Sequence, residues 1–530
     1  MAKPPSTAET VRRQSRREFI HRVGEIGGIS AAYQAMLTMG LLSPGDAEAA
    51  ATRKQWQSRA AQSQSGPKPT VAILGGGIAG LCVAYELKKA GFPYFVLEAQ
   101  SRPGGRNHTL RAGSTISEVA GTQRCDFDVD EELYFNAGPA RIPQHHSNLL
   151  SYCSELNIPL QAFVNDNRGA YIHSAAAFGG QPVRAREVIT SLRGYISELL
   201  AKAINSNSLN SEISFAERAS VLAVLRDFGA LTPSYQQTGT TRSGLVDGTG
   251  GLTPPQPGST ITAEQFINDQ SVPFVPSFAE SYNQSATMMQ PVGGMDKIAY
   301  ALAAQLEENI YYNVEVTAIR RSGTGVRIEG RTPELSGSIE ADYAIITIPP
   351  PILRTIANDF SSATQSAIGQ VRMANPTKIA FQSPRFWEKE EQIYGGISWT
   401  DPGIRQVWYP SGGFGQDQGV IVGSYLFGGS NASHFSNLSP EARIEFALAA
   451  GEKIHPSYRG NLNKGISVAW SNVNYSRGGW AVSNPSAVLQ KPDGPFLFAG
   501  DHLTYLQGWQ EGAVMSGLNA LNNLHSLQSV

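Results

Sequence analysis

Cysteine is scarce: the 530-residue chain has three, Cys82, Cys125 and Cys153, and none after them. Three thiols at those spacings form neither a disulfide framework nor a zinc site, so the fold must be held by packing and by whatever it binds. Charge is thin as well. Asp, Glu, Lys and Arg make up 16% of the residues, where about 25% is usual. The 42 basic residues nearly cancel the 44 acidic ones, so no overall field would hold a polyanion, and nucleic acid is excluded as a partner class. No internal repeat sets a period, and no Ser-His-Asp nucleophile arrangement can be assembled. His145-His146 is not a metal site, because adjacent side chains diverge and no Cys or Asp ligand spacing accompanies them. Glycine (54 residues) and apolar residues (41%) are plentiful, which predicts a large core with many tight turns. At roughly 150 residues per domain, the length points to two to four packing units.

Long hydrophobic runs are missing too. The apolar stretch at residues 26–42 is too short, and too rich in Gly, Ser, Thr and Gln, for a membrane span of about 20 apolar residues. It follows Ser15-Arg16-Arg17-Glu18-Phe19-Ile20 and precedes Ala47-Glu48-Ala49, the order of a twin-arginine export signal with an A-x-A cleavage site. Residues 1–49 are therefore expected to be a Tat signal peptide, with the Tat machinery as a partner and a periplasmic or secreted product. A surface amphipathic helix that carries two arginines is the plainer alternative. Residues 50–69 read as a polar linker.

Regular structure is expected from residue 70. Val71-Ala72-Ile73-Leu74 reads as a buried parallel strand, residues 78–89 have helical spacing, and residues 94–98 read as a second strand. Between them, Gly75-Gly76-Gly77-Ile78-Ala79-Gly80 fits G-x-G-x-x-G. The loop's backbone can approach a pyrophosphate closely, and the unpaired N–H groups at the helix start favour its negative charge. Glu98, eighteen residues past Gly80, ends the next strand, where a carboxylate can accept hydrogen bonds from ribose hydroxyls. These features predict a bound dinucleotide.

Arg102-Pro103-Gly104-Gly105-Arg106 follows, then Ala137-Gly138-Pro139-Ala140-Arg141-Ile142-Pro143, Gly293-Gly294-Met295-Asp296-Lys297 with Val314-Glu315-Val316, Gly500-Asp501, and Gly508-Trp509-Gln510-Glu511-Gly512-Ala513. With these ordered motifs the chain resembles the flavin amine oxidase superfamily, and within it the L-amino acid oxidases. The resemblance implies FAD held by Gly75, Gly77, Ile78, Ala79, Gly80, Glu98, Ala99, Gly105, Arg106, Gly138, Pro139, Ala140, Arg141, Val316, Gly500, Asp501, Trp509, Gln510, Gly512 and Ala513. It also implies that Arg141 pairs with the substrate's α-carboxylate, a task that suits the parallel N–H bonds of a guanidinium. Tyr409, in Trp408-Tyr409-Pro410, is the implied hydroxyl partner of that carboxylate, although strand alternation would let its neighbour point inward instead. Trp480 and Trp509 would wall the substrate cavity, and the Gly508 carbonyl would meet the amino group. Lys378, in Thr377-Lys378-Ile379-Ala380-Phe381, matches the lysine that holds a water beside the flavin. Monoamine oxidases link their flavin to a cysteine near the position of Trp480. No cysteine lies there, so non-covalent FAD is expected.

The implied fold is α/β: a Rossmann-like FAD-binding domain of the two-dinucleotide-binding type, a mixed-sheet substrate-binding domain and a helical subdomain. The FAD-binding domain is expected at 70–108, 290–371 and 490–530, the substrate-binding domain at 109–165 and 372–489, and the helical subdomain at 166–289. A Gly- and Pro-rich loop, 237–259, would be mobile or inserted. The implied activity is oxidative deamination of small-molecule amino acids with dioxygen, giving 2-oxo acid, ammonia and hydrogen peroxide; a homodimer is left open. The alternatives are a monoamine or polyamine oxidase, an oxidative decarboxylase of the tryptophan 2-monooxygenase kind, and a secreted flavin-binding interaction protein without turnover.

Overall fold

The computed structural model describes residues 53, 55–60, 67–258, 260–267, 269, 271–400, 405–427 and 429–528. The expected signal at 1–49 lies outside the described residues. The chain is α/β, and its first sheet is parallel with five strands in the order Ile310–Tyr311, Tyr94–Leu97, Val71–Leu74, Tyr343–Ile346, Phe496–Phe498. Val71–Leu74, Tyr94–Leu97 and Phe496–Phe498 are buried throughout, which is why they read as continuous apolar runs rather than as alternation. Ile78–Lys89, Lys297–Ala304 and Gln510–Gln528 cover one face, packing Leu81, Ile298 and Leu518 around Ile73 and Val96. An antiparallel meander containing Glu315–Ser322 covers the other with Val316 and Ile319. The sheet's strands thus come from chain segments separated by hundreds of residues.

The second sheet has seven strands in the order Val183–Arg184, Tyr171–His173, Gly396–Thr400, Gln406–Tyr409, Gln418–Leu426, Thr377–Pro384, Asn463–Ala469. Its far face, bearing Ile379, Phe381, Val407 and Tyr409, packs on the helix Pro440–Gly451. Its near face carries Lys378, Trp408 and Tyr425. A register shift in the pairing of Thr377–Pro384 with Gln418–Leu426 leaves Gly423 extra, so Val422 pairs with Ala380 and Tyr425 with Lys378. At Gly423 an added Cβ would come within 2.6 Å of the Tyr458 hydroxyl, so the bulge needs glycine.

Two expectations change. Tyr171–His173 and Val183–Arg184 belong to the second sheet, so the helical region starts at Ala185 rather than 166. The pairing of Tyr171–His173 with Gly396–Thr400 is a long-range contact that a local helical pattern cannot reveal. Residues 55–60, expected to be linker, are helical and docked: Trp56 is 1% exposed in the core, and Arg53 bonds Glu86 and Glu155. The 237–258 segment is pinned at its base, where the Gln237 backbone N–H donates to Glu198 and Arg242 to the carbonyls of Asp227 and Phe228.

Candidate active site

The glycine loop lies where the parallel sheet meets its first helix. Gly75 has φ +113°, and a Cβ there would sit 2.6 Å from Thr347 Oγ1; a Cβ on Gly80 would sit 2.0 Å from the Gly75 carbonyl. Both are structural requirements of the turn. At Gly77 an added Cβ would meet nothing within 4 Å, because this residue faces a cavity of about 1390 Å³, its open mouth included. The Glu98 carboxylate accepts the N–H groups of Gly76 at 2.6 Å and Gln100 at 2.8 Å, and burial pushes its pKa up. Thr347, which carried no sequence signal, ties the loop by donating to the Leu74 and Gly75 carbonyls.

Most of the expected cofactor residues line this one cavity. From the first segment come Gly75, Gly77, Ile78, Ala79, Glu98, Ala99, Gly105 and Arg106. Gly138, Pro139 and Val316 line it from the middle, and Gly500, Asp501, Trp509, Gln510 and Ala513 from the end. Arg106 is held by Asp501 at 2.6 Å and by the Gly479 carbonyl at 2.6 Å. Burial alone would raise the Asp501 pKa, but Arg106 and His502 bring it below its ordinary value. Both polar atoms of the Gln510 side chain are buried without a partner at the start of the last helix, a position suited to a polar ligand. An open glycine loop, an acid at the strand end and unpartnered polar atoms at a helix start fit a dinucleotide. Gly80, Ala140, Arg141 and Gly512 do not line the cavity. Gly512 is required by packing, since a Cβ there would lie 2.3 Å from the Leu506 carbonyl. Ala140 packs with Phe163 and Trp408.

Lys378, Trp480 and Gly508 line the same cavity, beside Trp509. Lys378 is buried on the near face of the second sheet, donating to the Asn136 carbonyl at 3.0 Å and the Gly138 carbonyl at 2.6 Å. Burial first, and the Arg141 charge second, lower its pKa to about 7. Gly508 has φ +80°, donates its N–H to Asp501 at 3.1 Å and packs against the Trp480 ring.

Arg141 sits just beyond the lining. Its guanidinium lies 4.6 Å from the Trp408 ring centre and within about 6 Å of those of Phe163, Phe278 and Trp509. Nη2 donates to Gln284 Oε1 at 2.8 Å, while Nε and Nη1 are buried without a partner. No carboxylate pairs with it among the described residues, and burial lowers its pKa to about 10. The group stays charged at neutral pH, so the cluster is an aromatic box around an uncompensated cation. The segment behind it is anchored by Glu511, whose carboxylate accepts the N–H groups of Asn148 and Leu149 at the start of the helix Ser147–Glu155.

Tyr409 is the main correction. Its hydroxyl is buried on the far face, 2.7 Å from Ser398 Oγ and 2.6 Å from His455 Nε2, and His455 Nδ1 lies 2.8 Å from Glu391. Strand parity turns its neighbour Trp408 toward Arg141 instead. The hydroxyl on Arg141's side of the sheet is that of Tyr425, whose ring lies 5.1 Å from the Trp408 ring and 4.9 Å from Lys378 Nζ, and which lines the cavity. Its register opposite Lys378 was the available signal, hidden by the bulge. Tyr409→Phe is expected to leave substrate KM within about twofold while lowering stability by about 1–3 kcal/mol, because Ser398 and His455 lose a buried partner. Steady-state kinetics beside urea unfolding checks both halves.

Comparison with known proteins adds the family. The model of the flavin containing amine oxidoreductases matches residues 78–524. YobN of Bacillus subtilis (strain 168), provisionally named an L-amino-acid oxidase, is 29% identical over 489 residues, 86% of this chain and 95% of that protein. The L-amino-acid oxidase of Vipera ammodytes ammodytes is 27% identical over 493 residues, 87% and 93% of the two chains. Among solved structures, putrescine oxidase bound to putrescine aligns with TM-score 0.56 at 17% identity, over 87% of this chain and 99% of that one. Cyclohexylamine oxidase from Brevibacterium oxydans IH-35A aligns with TM-score 0.56 at 17% identity, over 88% and 100%. At such identity the two structures speak for the fold alone.

Proposed function

The chain belongs to the flavin containing amine oxidoreductase family, and on that premise we propose that it oxidises L-amino acids to 2-oxo acids, releasing ammonia and hydrogen peroxide. The observation that carries this reading is Arg141, a buried guanidinium with Nε and Nη1 unpartnered and no acid of the described residues beside it. A buried cation without a counter-charge is costly, and an α-carboxylate arriving with two parallel acceptors relieves that cost. A simple amine brings no such group and adds a second positive charge.

Gly77, Glu98, Arg106 and Gln510 on the cavity wall would hold FAD, which when bound would supply the redox chemistry, hydride acceptance from the substrate α-carbon and electron delivery to dioxygen. The residues of the chain bind, orient and tune. Arg141 fixes the acid end, while the aromatic rings around it exclude water and strengthen that pairing. The Gly508 carbonyl would accept a hydrogen bond from the substrate's amine. Lys378 Nζ, poised near neutral pKa on the cavity wall, can hold or release a proton within the working pH range. The imino acid leaves and hydrolyses in water. The three cysteines are buried and none lines the cavity, which supports non-covalent FAD. Export by the Tat route is part of the proposal and rests on Arg16-Arg17 and the Ala47-Glu48-Ala49 site.

Peroxide release from a panel of the twenty L-amino acids, their D-forms and the matching amines tests the reading. L-amino acids are expected to turn over, with one ammonia and no carbon dioxide per peroxide. A preference for amines would move the enzyme to the amine oxidases, and stoichiometric carbon dioxide to the oxidative decarboxylases. A yellow protein bleached by no compound in the panel would be a binding protein.

A further inference from the structure

Arg141, Asn165 and Gln284 are far apart in sequence but meet through one small three-stranded sheet. Met288–Pro291 pairs with Leu160–Phe163 on one side and Ile142–Pro143 on the other, placing Met289 opposite Ile142 and Met288 opposite Phe163. The turn that precedes Met288–Pro291 is thereby brought over the guanidinium. It is fixed there from both neighbours. Asn165 Nδ2 donates to the Gln284 backbone carbonyl at 2.6 Å. His145 Nε2 donates to Asn283 Oδ1 at 2.7 Å, and the His145 ring stacks on Tyr282 at 4.0 Å. So the paired histidines, which fit no metal site, frame this turn. Phe278, from the same excursion, closes one side of the aromatic box.

We propose that Gln284 is a specificity-determining residue that orients the carboxylate anchor while leaving its charge uncompensated. This rests on the reading of Arg141 given above. Nη2 carries two hydrogens and Gln284 takes one of them. Whichever edge of the guanidinium it uses, the other edge still presents two parallel N–H bonds, so a carboxylate can dock bidentately without displacing the glutamine. The acceptor must be neutral. An amide oxygen holds the guanidinium plane but leaves the full positive charge for the ligand, whereas a carboxylate at the same atom would complete an internal ion pair that mimics a bound substrate. Gln284 is thus a positioning residue that acts through Arg141, and its chemistry, not only its shape, sets the preference for acids over amines.

The test compares Gln284→Glu and Gln284→Ala as FAD-loaded, full-length enzymes. It titrates each with benzoate and with benzylamine, non-chiral probes that share one ring and differ in charge. Gln284→Glu is expected to weaken benzoate binding by about 50-fold or more, as for a buried charge pair whose partner is pre-empted. It should also raise the melting temperature, because the buried guanidinium gains a permanent partner. Gln284→Ala, which removes one charge-assisted hydrogen bond, should weaken benzoate by about tenfold. A merely structural glutamine would give two variants that lose stability together and do not separate by charge. Wild-type enzyme that binds benzoate beside variants that bind it within twofold overturns the role of Gln284 and leaves the amino acid reading standing. Wild-type enzyme that prefers benzylamine overturns that reading, and this inference with it.

Discussion

Arg141→Met is expected to raise KM for L-amino acids by about 1,000-fold, the size of losing one buried charge-assisted pair. For the corresponding decarboxylated amines, kcat/KM should stay within a few-fold or improve. The two effects have one cause. Nε and Nη1 are buried without a partner among the described residues, and the nearest rings offer only their faces. A cation in that setting carries an unrelieved desolvation cost until a carboxylate enters, so binding energy is stored in the site. Methionine fills similar apolar volume and carries no charge. The variant should therefore melt at a temperature equal to or above that of the wild type, the opposite of what removal of a structural ion-pair arginine gives. Calorimetry on the FAD-loaded variant beside a substrate series of acid and amine pairs checks both. An unchanged ratio of acid to amine turnover would remove Arg141 from the substrate site.

What could be read from the sequence follows how local each feature is. The glycine loop and Glu98 are contiguous with their strand and helix, and their roles depend on spacing alone, so placing them requires no long-range contact. Val71–Leu74 and Tyr94–Leu97 were equally legible, because strands buried on both faces become apolar runs. Tyr409 was not. Its orientation depends on parity across a sheet whose bulge at Gly423 shifts the count, and the sequence next to it carries Trp408 just as plausibly. Gln284 was beyond reach, since only the pairing of Met289 with Ile142 brings its turn to Arg141. The subdomain boundary expected at 166 falls too early for the same reason: Tyr171–His173 joins the second sheet through Gly396–Thr400. The buried docking of Trp56 came from a stretch whose composition reads as linker.

Lys378→Met is expected to lower kcat/KM for dioxygen by about 100-fold or more, the scale set by loss of one preorganised donor at a site of developing negative charge. In the ammonium form Nζ has three hydrogens, and the Asn136 and Gly138 carbonyls take two, leaving one for the cavity that Lys378 lines. Its pKa of about 7, lowered by burial and then by Arg141, makes the group divided between charged and neutral forms at physiological pH. Substrate binding changes that balance. A carboxylate on Arg141 cancels the charge that disfavours the ammonium, so the lysine pKa rises in the complex. By linkage, carboxylate ligands should then bind more tightly as pH falls through the range between the complex pKa and about 7, and weaken above it. At pH near 8 the binding event should take up a fraction of a proton, seen as a dependence of the calorimetric heat on the buffer's ionisation enthalpy. In the methionine variant the uptake should vanish and the affinity should become flat with pH in this range. Wild-type binding that releases protons, or none exchanged at all, would uncouple Lys378 from Arg141 and leave it as a packing residue that holds two backbone carbonyls in place.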